Sequence, residues 1–300
     1  MLKFFTSLLG RSSVEGVYNL GEIMLLSQIR HQGSSIRNLS KRMASTVNNS
    51  SFTPTPIVEI REYDLHPSQA QTYIQTTTDG SDLRKSLAPL RVFSMPETGG
   101  LLNVATHLYY FEGGFEERND RRKKMGKNAD WKAYLGKVRP CMISQKSTIF
   151  VEAPLVKEMD QVCGLSPGNA EAMLDMYTHT DGTQGVTNPD CVIEFRRYQL
   201  KLGYDTVPNF LELYGKGLPS KLNATGTDPT TSLVTLLYSE VGQLNEVIEI
   251  WRHGSTSAME RSRVAARSAE EWRNSVMMIA NLSNVFTSTI HKPLSFSPLR

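Results

Sequence analysis

The sequence predicts an α+β fold of two tandem ferredoxin-like (β-α-β-β-α-β) repeats that pack sheet to sheet as a pseudo-dimeric α/β barrel. The first observation is an echo: IVEIREYDL at Ile57–Leu65 returns as VIEFRRYQL at Val192–Leu200. The second is that candidate helices and strands follow each copy in the same order. The third concerns the sheets. In this plan both helices cover one face of the sheet, so the other face is free to pack against the second repeat.

A candidate helix follows the first strand of each half, at residues 68–87 and 204–222. The second helix has the clearer pattern, because its apolar residues recur at the spacing of one helix face. Those residues are Val207, Phe210, Leu211 and Tyr214. The strands predicted next span residues 90–95 and 233–238.

The third strand of each half follows a tight turn, and residues 240–253, EVGQLNEVIEIWRH, show it best. Side chains alternate cleanly along this strand, so one face carries Asn245, Glu249 and Trp251. The stretch at 97–111, ETGGLLNVATHLYYF, is its counterpart in the first half. This second echo supports a duplicated unit.

A second helix completes each repeat and carries a tryptophan, Trp131 in the first half and Trp272 in the second. We expect both indoles to anchor the core between helix and sheet. Each repeat then ends in a short strand, at residues 147–154 and 287–293.

These patterns divide the chain into four segments. Residues 57–155 form the first domain and residues 191–300 the second, joined by an insert at 156–190 with a candidate helix at 169–177. Residues 1–52 are rich in Arg and Ser and contain only two acids, a composition typical of a mitochondrial presequence. A disordered tail is the alternative interpretation of that segment.

Composition excludes several classes of protein. With 300 residues, of which 39% are apolar, the chain is long enough to bury two cores without disulfides. Its formal charge of +3 is too small to indicate nucleic-acid binding. Cys141, Cys163 and Cys191 are too widely spaced for a zinc site or a disulfide framework, which suits a reducing compartment. No apolar run reaches the roughly 18 residues that a membrane-spanning helix needs.

Four stretches carry a resemblance to a known family: VIEFRRYQL, YSEVGQLNEVIEIWRH, the Arg-rich helix that ends in EEWR, and the terminal SFSPLR. In these the chain resembles the NIPSNAP family, most closely over residues 192–300. The resemblance implies a dimeric α/β-barrel fold and mitochondrial association. For some members it implies retention on damaged mitochondria, where they recruit autophagy machinery. The family has no established reaction, so no catalytic residue carries over.

The polar strand faces carry the candidate site. If the apolar strand residues pack under the helices, the alternate side chains line the barrel interior. The apolar set is Val58, Ile60, Ile193, Phe195, Ile248 and Ile250. The predicted polar lining is Glu59, Arg61, Tyr63, Asn103, His107, Tyr109, Glu194, Arg196, Tyr198, Asn245, Glu249 and Trp251. Two interpretations are open: a ligand pocket in which Arg61 or Arg196 clamps an anion, or a satisfied Glu-Arg-Tyr network that fixes how the repeats dock.

Cofactor ligands are sparse. His107 is a candidate haem ligand, but no second ligand stands at metal spacing. His253 and His291 lie near predicted strand ends and are expected at the surface. The basic run at 118–127, RNDRRKKMGK, adjoins acids and lacks aromatics, so a solvated helix face is favoured over a nucleic-acid or lipid site. The sequence therefore predicts no catalytic residue, no metal and no cofactor.

The residues and the resemblance together predict a non-catalytic mitochondrial protein that acts through protein binding, in mitophagy and quality control or in vesicular transport. Expected partners are autophagy machinery or other mitochondrial proteins, and a homo-oligomer is left open. The expected location is the matrix or a mitochondrial membrane surface, with the cytosol as the alternative. The alternative function is a small-molecule enzyme of monooxygenase type that uses the barrel interior.

Overall fold

Eight antiparallel strands close into one barrel in the computed structural model, which describes residues 53–167 and 190–300. The predicted presequence at 1–52 and the predicted helix at 169–177 lie outside the described residues. Most of the predicted insert at 156–190 lies outside them as well.

The first repeat follows the predicted order of elements. Its strands are β1 (Ile57–Leu65), β2 (Leu90–Thr98), β3 (Val104–Phe111) and β4 (Met142–Glu152). Its helices are α1 (Ala70–Asp79), α2 (Ser81–Leu87), α3 (Gly114–Lys127) and α4 (Ala129–Val138). The helix predicted at 68–87 is therefore two helices that meet at Gly80, whose backbone packs directly against the Tyr134 ring.

The second repeat follows a single short helix, α5 (Leu155–Glu158). Its strands are β5 (Val192–Leu200), β6 (Ser232–Val241), β7 (Glu246–His253) and β8 (Ser283–Pro293). Its helices are α6 (Thr206–Leu222), α7 (Thr256–Ser268) and α8 (Glu270–Leu282). Helix α7 begins at Ser255, whose hydroxyl accepts a hydrogen bond from the Ala258 amide, as helix N-caps commonly do.

Each repeat contributes one sheet to the barrel, in the order β4-β1-β3-β2 and β8-β5-β7-β6. The edges of the two sheets pair with each other, β2 with β8 and β4 with β6, so no strand of the barrel is left as an unpaired edge. Within the sheets, Arg61 lies opposite His107, and Arg196 lies opposite Glu249. Position 107 of the first repeat therefore corresponds to position 249 of the second.

Two glycines bring the hairpin turns close to the neighbouring repeat. Gly99 (φ 90°) follows β2, and Gly242 (φ 130°) follows β6. The backbone of Gly99 lies against Ser288 of β8, and that of Gly242 lies against Thr148 of β4, so a Cβ atom has no room at either position. Glycine is favoured there both by the close approach and by the left-handed backbone.

Apolar side chains from both repeats fill the barrel interior. They include Val58, Ile60, Val92, Leu108, Phe150, Ile193, Phe195, Val234, Leu237, Ile248 and Ile250. This corrects the prediction that Val58, Ile60, Ile193, Phe195, Ile248 and Ile250 lie under the helices. The interior of an eight-stranded barrel is only wide enough for side chains to fill, so a polar group there is stable only where another group of the chain pairs with it.

Two further clusters form the layers between each sheet and its own helices. The first contains Tyr73, Trp131 and Tyr134, and the second contains Phe210, Tyr214 and Trp272, among others. Trp131 and Trp272 are buried in these layers, as expected of core anchors. The faces of the sheets that carry the polar residues therefore point toward the helices.

The predicted fold class is confirmed: two β-α-β-β-α-β repeats share one α/β barrel. The three cysteines are free thiols, and Cys141 and Cys191 are buried. Within residues 53–167 and 190–300, no helix combines the length and the apolar character required to cross a membrane.

Candidate functional site

The predicted polar residues lie beneath the helices and not in the barrel interior, which corrects their predicted location. Alternation along the strands puts Glu59, Arg61 and Tyr63 on the face opposite Val58 and Ile60. The structure gathers Glu59, Arg61, Tyr63, His107 and Tyr109 in the first repeat, and Glu194, Arg196, Tyr198, Glu249 and Trp251 in the second.

Asn103 and Asn245 do not join these groups. Each lies at a hairpin turn, where its carbonyl oxygen accepts the amide of Leu65 or Leu200 at 2.8 Å. Asn245 adopts a positive φ of 56°, and its side-chain amide donates to the Lys201 carbonyl. Both asparagines therefore hold turns, and neither lines the two cavities beneath the helices.

Glu59 connects the first sheet to α3. Its carboxylate accepts hydrogen bonds from Arg118 Nε at 3.0 Å and Nη2 at 2.8 Å, and from the Ser147 hydroxyl at 2.6 Å. Burial alone raises the pKa of Glu59, but the hydrogen bonds from Arg118 and Ser147 outweigh it and hold the pKa below 4.5. Glu59 is therefore an ionised structural anchor between strand and helix.

Glu194 has the same role in the second repeat. It accepts from Arg263 of α7 at 2.6 Å and from Ser288 of β8 at 2.7 Å, and His253 Nε2 lies 3.3 Å away. Burial raises the pKa of Glu194. The hydrogen bond with His253 and the charges of Arg196 and Arg263 lower it by more, so the pKa lies well below its ordinary value. The two anchors, Glu59 and Glu194, occupy equivalent strand positions.

A buried guanidinium lies at the centre of the first layer. Arg84, on α2, is 3% exposed and donates from Nη1 to the Tyr109 hydroxyl and from Nη2 to the Tyr134 hydroxyl, both at 2.5 Å. The carbon of its guanidinium lies 5.3 Å from the ring centres of Trp131 and Tyr134. The cation is thus surrounded by aromatic rings and hydroxyl groups.

His107 lies in the same layer and is fully buried. Its Nε2 is 3.2 Å from the Tyr73 hydroxyl, its Nδ1 is 3.3 Å from the Tyr109 hydroxyl, and its ring stacks on Phe93. Burial and the nearby charges of Arg84 and Arg61 lower the pKa of His107 well below 6.5. His107 is therefore neutral, and both ring nitrogens already face hydroxyl partners.

A carboxylate occupies the corresponding position in the second layer. Glu249 accepts hydrogen bonds from the Tyr198 hydroxyl, from the Tyr214 hydroxyl at 2.6 Å and from Trp251 Nε1 at 2.6 Å. Arg196 Nη1 lies 3.2 Å and Lys221 Nζ 3.6 Å from its oxygens. Glu249 therefore lies within ion-pair distance of two largely buried cations.

Lys221, near the end of α6, is the other of these cations, and its side chain is 12% exposed. Its ammonium lies 3.7 Å from the ring centre of Trp251 and 4.4 Å from that of Trp272. Burial lowers the pKa of Lys221 to about 7, although Glu249 acts in the opposite direction. Trp251 thus packs against Lys221 beneath the helices.

Each layer contains a cavity beside these groups. The cavity of the first repeat has a volume of about 510 Å³, and that of the second about 540 Å³. Among the described residues, the first is lined by one acid, Glu59, and by the bases Arg61, Arg84, Arg121, Arg122, Lys132 and Arg139. The second is lined by one acid, Glu194, and by the bases Arg196, Lys221, Arg263, Arg267 and Arg273. Both cavities are therefore cationic.

Sequence reasoning missed Arg84 and Lys221, which come from helices and not from strands. A signal was present, because each cation stands among apolar helix residues, between Leu83 and Leu87 or between Leu218 and Leu222. It also placed His253 and His291 at the surface, but both are buried, at 2% and 5% exposure. The β-strands that carry them are covered by helices or by the seam between the repeats, which strand position alone does not reveal.

The other chemical predictions concern metal and charge. No group of three or more potential metal ligands occurs within residues 53–167 and 190–300. In the basic run at 118–127, Arg118 binds Glu59, Arg121 pairs with Glu117 at 2.6 Å and Lys123 with Asp120 at 3.3 Å. Much of the positive charge of this run is therefore paired with acidic residues of the same repeat.

Solved structures are similar to this fold. A crystal structure from Fusobacterium nucleatum, named a "putative monooxygenase", superposes with a TM-score of 0.53, covering 81% of this chain and 94% of that one. Its sequence is 10% identical, so the likeness concerns the fold alone.

Sequence comparison gives a more specific result. NipSnap homolog 3A of Homo sapiens is 22% identical over 274 residues, which cover 88% of this chain and 96% of the relative. NipSnap homolog 3B of Homo sapiens is 24% identical over 246 residues, covering 81% and 85%. The model of the NIPSNAP family matches residues 58–157 and 193–298, one match for each repeat. The chain therefore belongs to the NIPSNAP family.

Proposed function

We propose that this chain is a mitochondrial NIPSNAP protein that acts by binding a protein partner, and that the partner docks in an apolar groove of the second repeat. The groove has a volume of about 1120 Å³ and lies between α5, the loop before α6, the first turns of α6 and the β6–β7 turn. Its apolar lining includes Leu202, Tyr204, Val207, Leu211 and Leu244.

The exposure of this lining is the observation that carries the proposal. Leu202 is 90% exposed, Leu244 is 57% exposed and Tyr204 is fully exposed. Apolar side chains gathered on a surface in this way are typical of protein-binding sites, because covering them releases water. Aromatic residues such as Tyr204 are also over-represented among residues that dominate binding energy.

The charges at the groove indicate the chemistry of the partner. Glu158, Glu212 and Glu240 line it, and all three are exposed. A basic amphipathic segment complements this surface, since its apolar face covers the leucines while its Lys or Arg side chains meet the carboxylates. We therefore propose a partner protein that presents such a segment.

Binding is favoured over turnover by the state of the buried polar groups. Glu59, Glu194 and Glu249 each accept several hydrogen bonds from neighbouring side chains. A general base needs a free lone pair directed at its substrate, and these carboxylates direct theirs at arginines, hydroxyl groups and indoles. The polar network thus supports a structural role, which ties strands to helices within each repeat.

Family membership and the N-terminal composition support the mitochondrial part of the proposal. Mitophagy is the process we propose, with autophagy machinery as the partner class and vesicular transport as the other option. A reporter fused to residues 1–52 tests the location: we expect a mitochondrial signal, and a diffuse cytosolic signal would contradict it.

Site-specific photo-cross-linking tests the groove. With a photoreactive benzoylphenylalanine in place of Tyr204, irradiation of mitochondria that contain the full chain is expected to give an adduct with a basic segment of one partner. Leu244→Asp should abolish that adduct. The matched control places the same photoreactive residue at Val264, an exposed apolar position of α7 outside the groove, and should not capture that partner. Absence of an adduct at 204, or an adduct unaffected by Leu244→Asp, would contradict the proposal.

The alternative, a monooxygenase-type enzyme that uses the barrel interior, has less support. Buried apolar side chains such as Ile60, Phe195 and Ile250 fill much of the interior. The charged residues that share their strand faces, Glu62, Arg197 and Arg252, already bind other groups of the chain and are not directed at a substrate. A monooxygenase activity in this chain would have to use the cavities beneath the helices. Oxygen consumption by the purified full chain with aromatic substrates tests this option.

A further inference from the structure

The first repeat contains a buried cation without a buried counterion. Among residues 53–167 and 190–300, no carboxylate lies within ion-pair distance of Arg84, whose two terminal nitrogens donate to tyrosine hydroxyls. The Nε atom of Arg84 has no hydrogen-bond partner there. The Nε atoms of Arg61 and Arg196 also lack one, but Arg61 lies 3.6 Å from Glu59 and Arg196 lies 3.4 Å from Glu194. A buried charge is costly unless it is paired, so this arrangement calls for a negative group.

The second repeat shows how the same problem is solved internally. There Glu249 lies beside Arg196 and Lys221 and balances part of their charge. The corresponding position in the first repeat is His107, which is buried and neutral. The second layer thus carries its own central carboxylate, and the first does not.

The cavity beside Arg84 has the composition of a site for an amphipathic anion. Glu59, its one acidic lining residue in the described part of the chain, is engaged by Arg118 and Ser147. Apolar side chains form much of the remaining wall, namely Met125, Trp131, Leu135, Val138 and Met142. A volume of about 510 Å³ falls in the range of small-molecule sites.

We propose that the cavity of the first repeat binds an organic carboxylate with an apolar body, and that its carboxylate supplies the countercharge for Arg84. The apolar body lies along the wall that contains Trp131 and Leu135. This site is separate from the groove of the second repeat, and it does not depend on the partner proposed there.

The test compares two probes of equal chain length, octanoate and 1-octanol, by isothermal titration calorimetry on the purified full chain. Octanoate is expected to bind one equivalent per chain, and 1-octanol to bind about tenfold more weakly or less. The decisive variants are His107→Glu, which gives the first repeat the carboxylate of the second, and His107→Gln, which preserves neutrality. His107→Glu should weaken octanoate binding by about tenfold or more, while His107→Gln should keep it.

A second pair of variants covers the case in which His107→Glu does not fold by circular dichroism. Arg122 lines the first cavity and is half exposed, so Arg122→Gln should fold and weaken octanoate binding by about threefold. Arg273→Gln, in the lining of the second cavity, is its control and should leave the binding unchanged. Absence of octanoate binding, equal binding of 1-octanol, or equal effects of Arg122→Gln and Arg273→Gln would overturn the proposal.

Discussion

Glu62 and Arg197 occupy equivalent positions in the first strands of the two repeats, and they form an ion pair across the barrel, with Nη2 and Oε1 2.8 Å apart. Arg197 also donates to Glu246 at 3.1 Å, and Lys146 lies 3.4 Å from Glu62. Both side chains of the central pair are about one-fifth exposed. The contact that joins the repeats is therefore electrostatic at this point, although the barrel interior is apolar.

This pair should contribute measurably to the stability of the barrel. A double-mutant cycle of Glu62→Gln and Arg197→Gln, followed by urea unfolding, is expected to give a coupling free energy of about 1 kcal/mol. The exchange Glu62→Arg with Arg197→Glu should recover part of the loss, although Glu246 and Lys146 then face like charges. Strictly additive single substitutions would contradict the contact.

The central carboxylate of the second repeat should be far more important for stability than its counterpart in the first. Glu249→Gln leaves Lys221 without a countercharge and Arg196 with Glu194 alone, and we expect the free energy of unfolding to fall by about 3 kcal/mol. The matched substitution His107→Gln changes no charge and should cost about 1 kcal/mol. Chemical unfolding of both variants measures the difference, and similar losses would be inconsistent with the assigned charges.

His291, at the seam between β2 and β8, should make stability depend on pH. Burial, with a contribution from the Arg197 charge, lowers the pKa of His291 from 6.5 to about 3. Between pH 6.5 and about 3, the imidazole is therefore protonated in the unfolded chain but not in the folded chain. Stability consequently falls as pH drops below 6.5. His291→Gln should remove part of that loss between pH about 7 and about 4, as measured by urea unfolding. An unchanged pH profile would show that the imidazole is protonated in the folded state.

The stabilisation from the two anchoring carboxylates, Glu59 and Glu194, depends on pH over a more acidic range than that from His291. Glu59 and Glu194 have folded pKa values below 4.5, so their stabilisation is complete above the ordinary glutamate pKa and is lost as pH falls below it. Glu194→Gln should reduce stability at neutral pH and give a shallower decline below pH about 4.5. Thr98→Ser, an exposed change at the end of β2, is a suitable control. Parallel declines in the Glu194→Gln variant and the wild type would count against the anchor.

Repetition in the sequence was sufficient to predict the fold. The echo of Glu59-x-Arg61-x-Tyr63 in Glu194-x-Arg196-x-Tyr198 defined two equal units, and the order of elements defined their plan. Neither pattern indicates that sheet edges pair across repeats, because hydrogen bonds between β2 and β8 depend on backbone positions that distant segments reach only in the folded state.

The polar residues of the candidate site were predicted on the sheet faces that line the barrel interior, but they lie on the faces that meet the helices. Alternation separates Glu59 from Ile60, but it does not say which of the two faces meets the helices. Closure of the barrel decides this, since Ile60 packs there among apolar side chains of both repeats, whereas the helix layer supplies Arg118 to Glu59. Glu62 and Arg197 were open to prediction, because their opposite charges stand at matching positions of the two first strands.

Proximity labelling in mitochondria tests the central claim, that the chain acts by binding a partner through the groove around Tyr204 and Leu244. The labelling enzyme is fused to the full chain, and labelled proteins are compared for the wild type, Tyr204→Asp and the exposed control Val264→Asp, in intact and in depolarised mitochondria. The account predicts a set of mitochondrial or autophagy proteins that the wild type and Val264→Asp share and that Tyr204→Asp loses. Identical labelled sets for all three chains would contradict it.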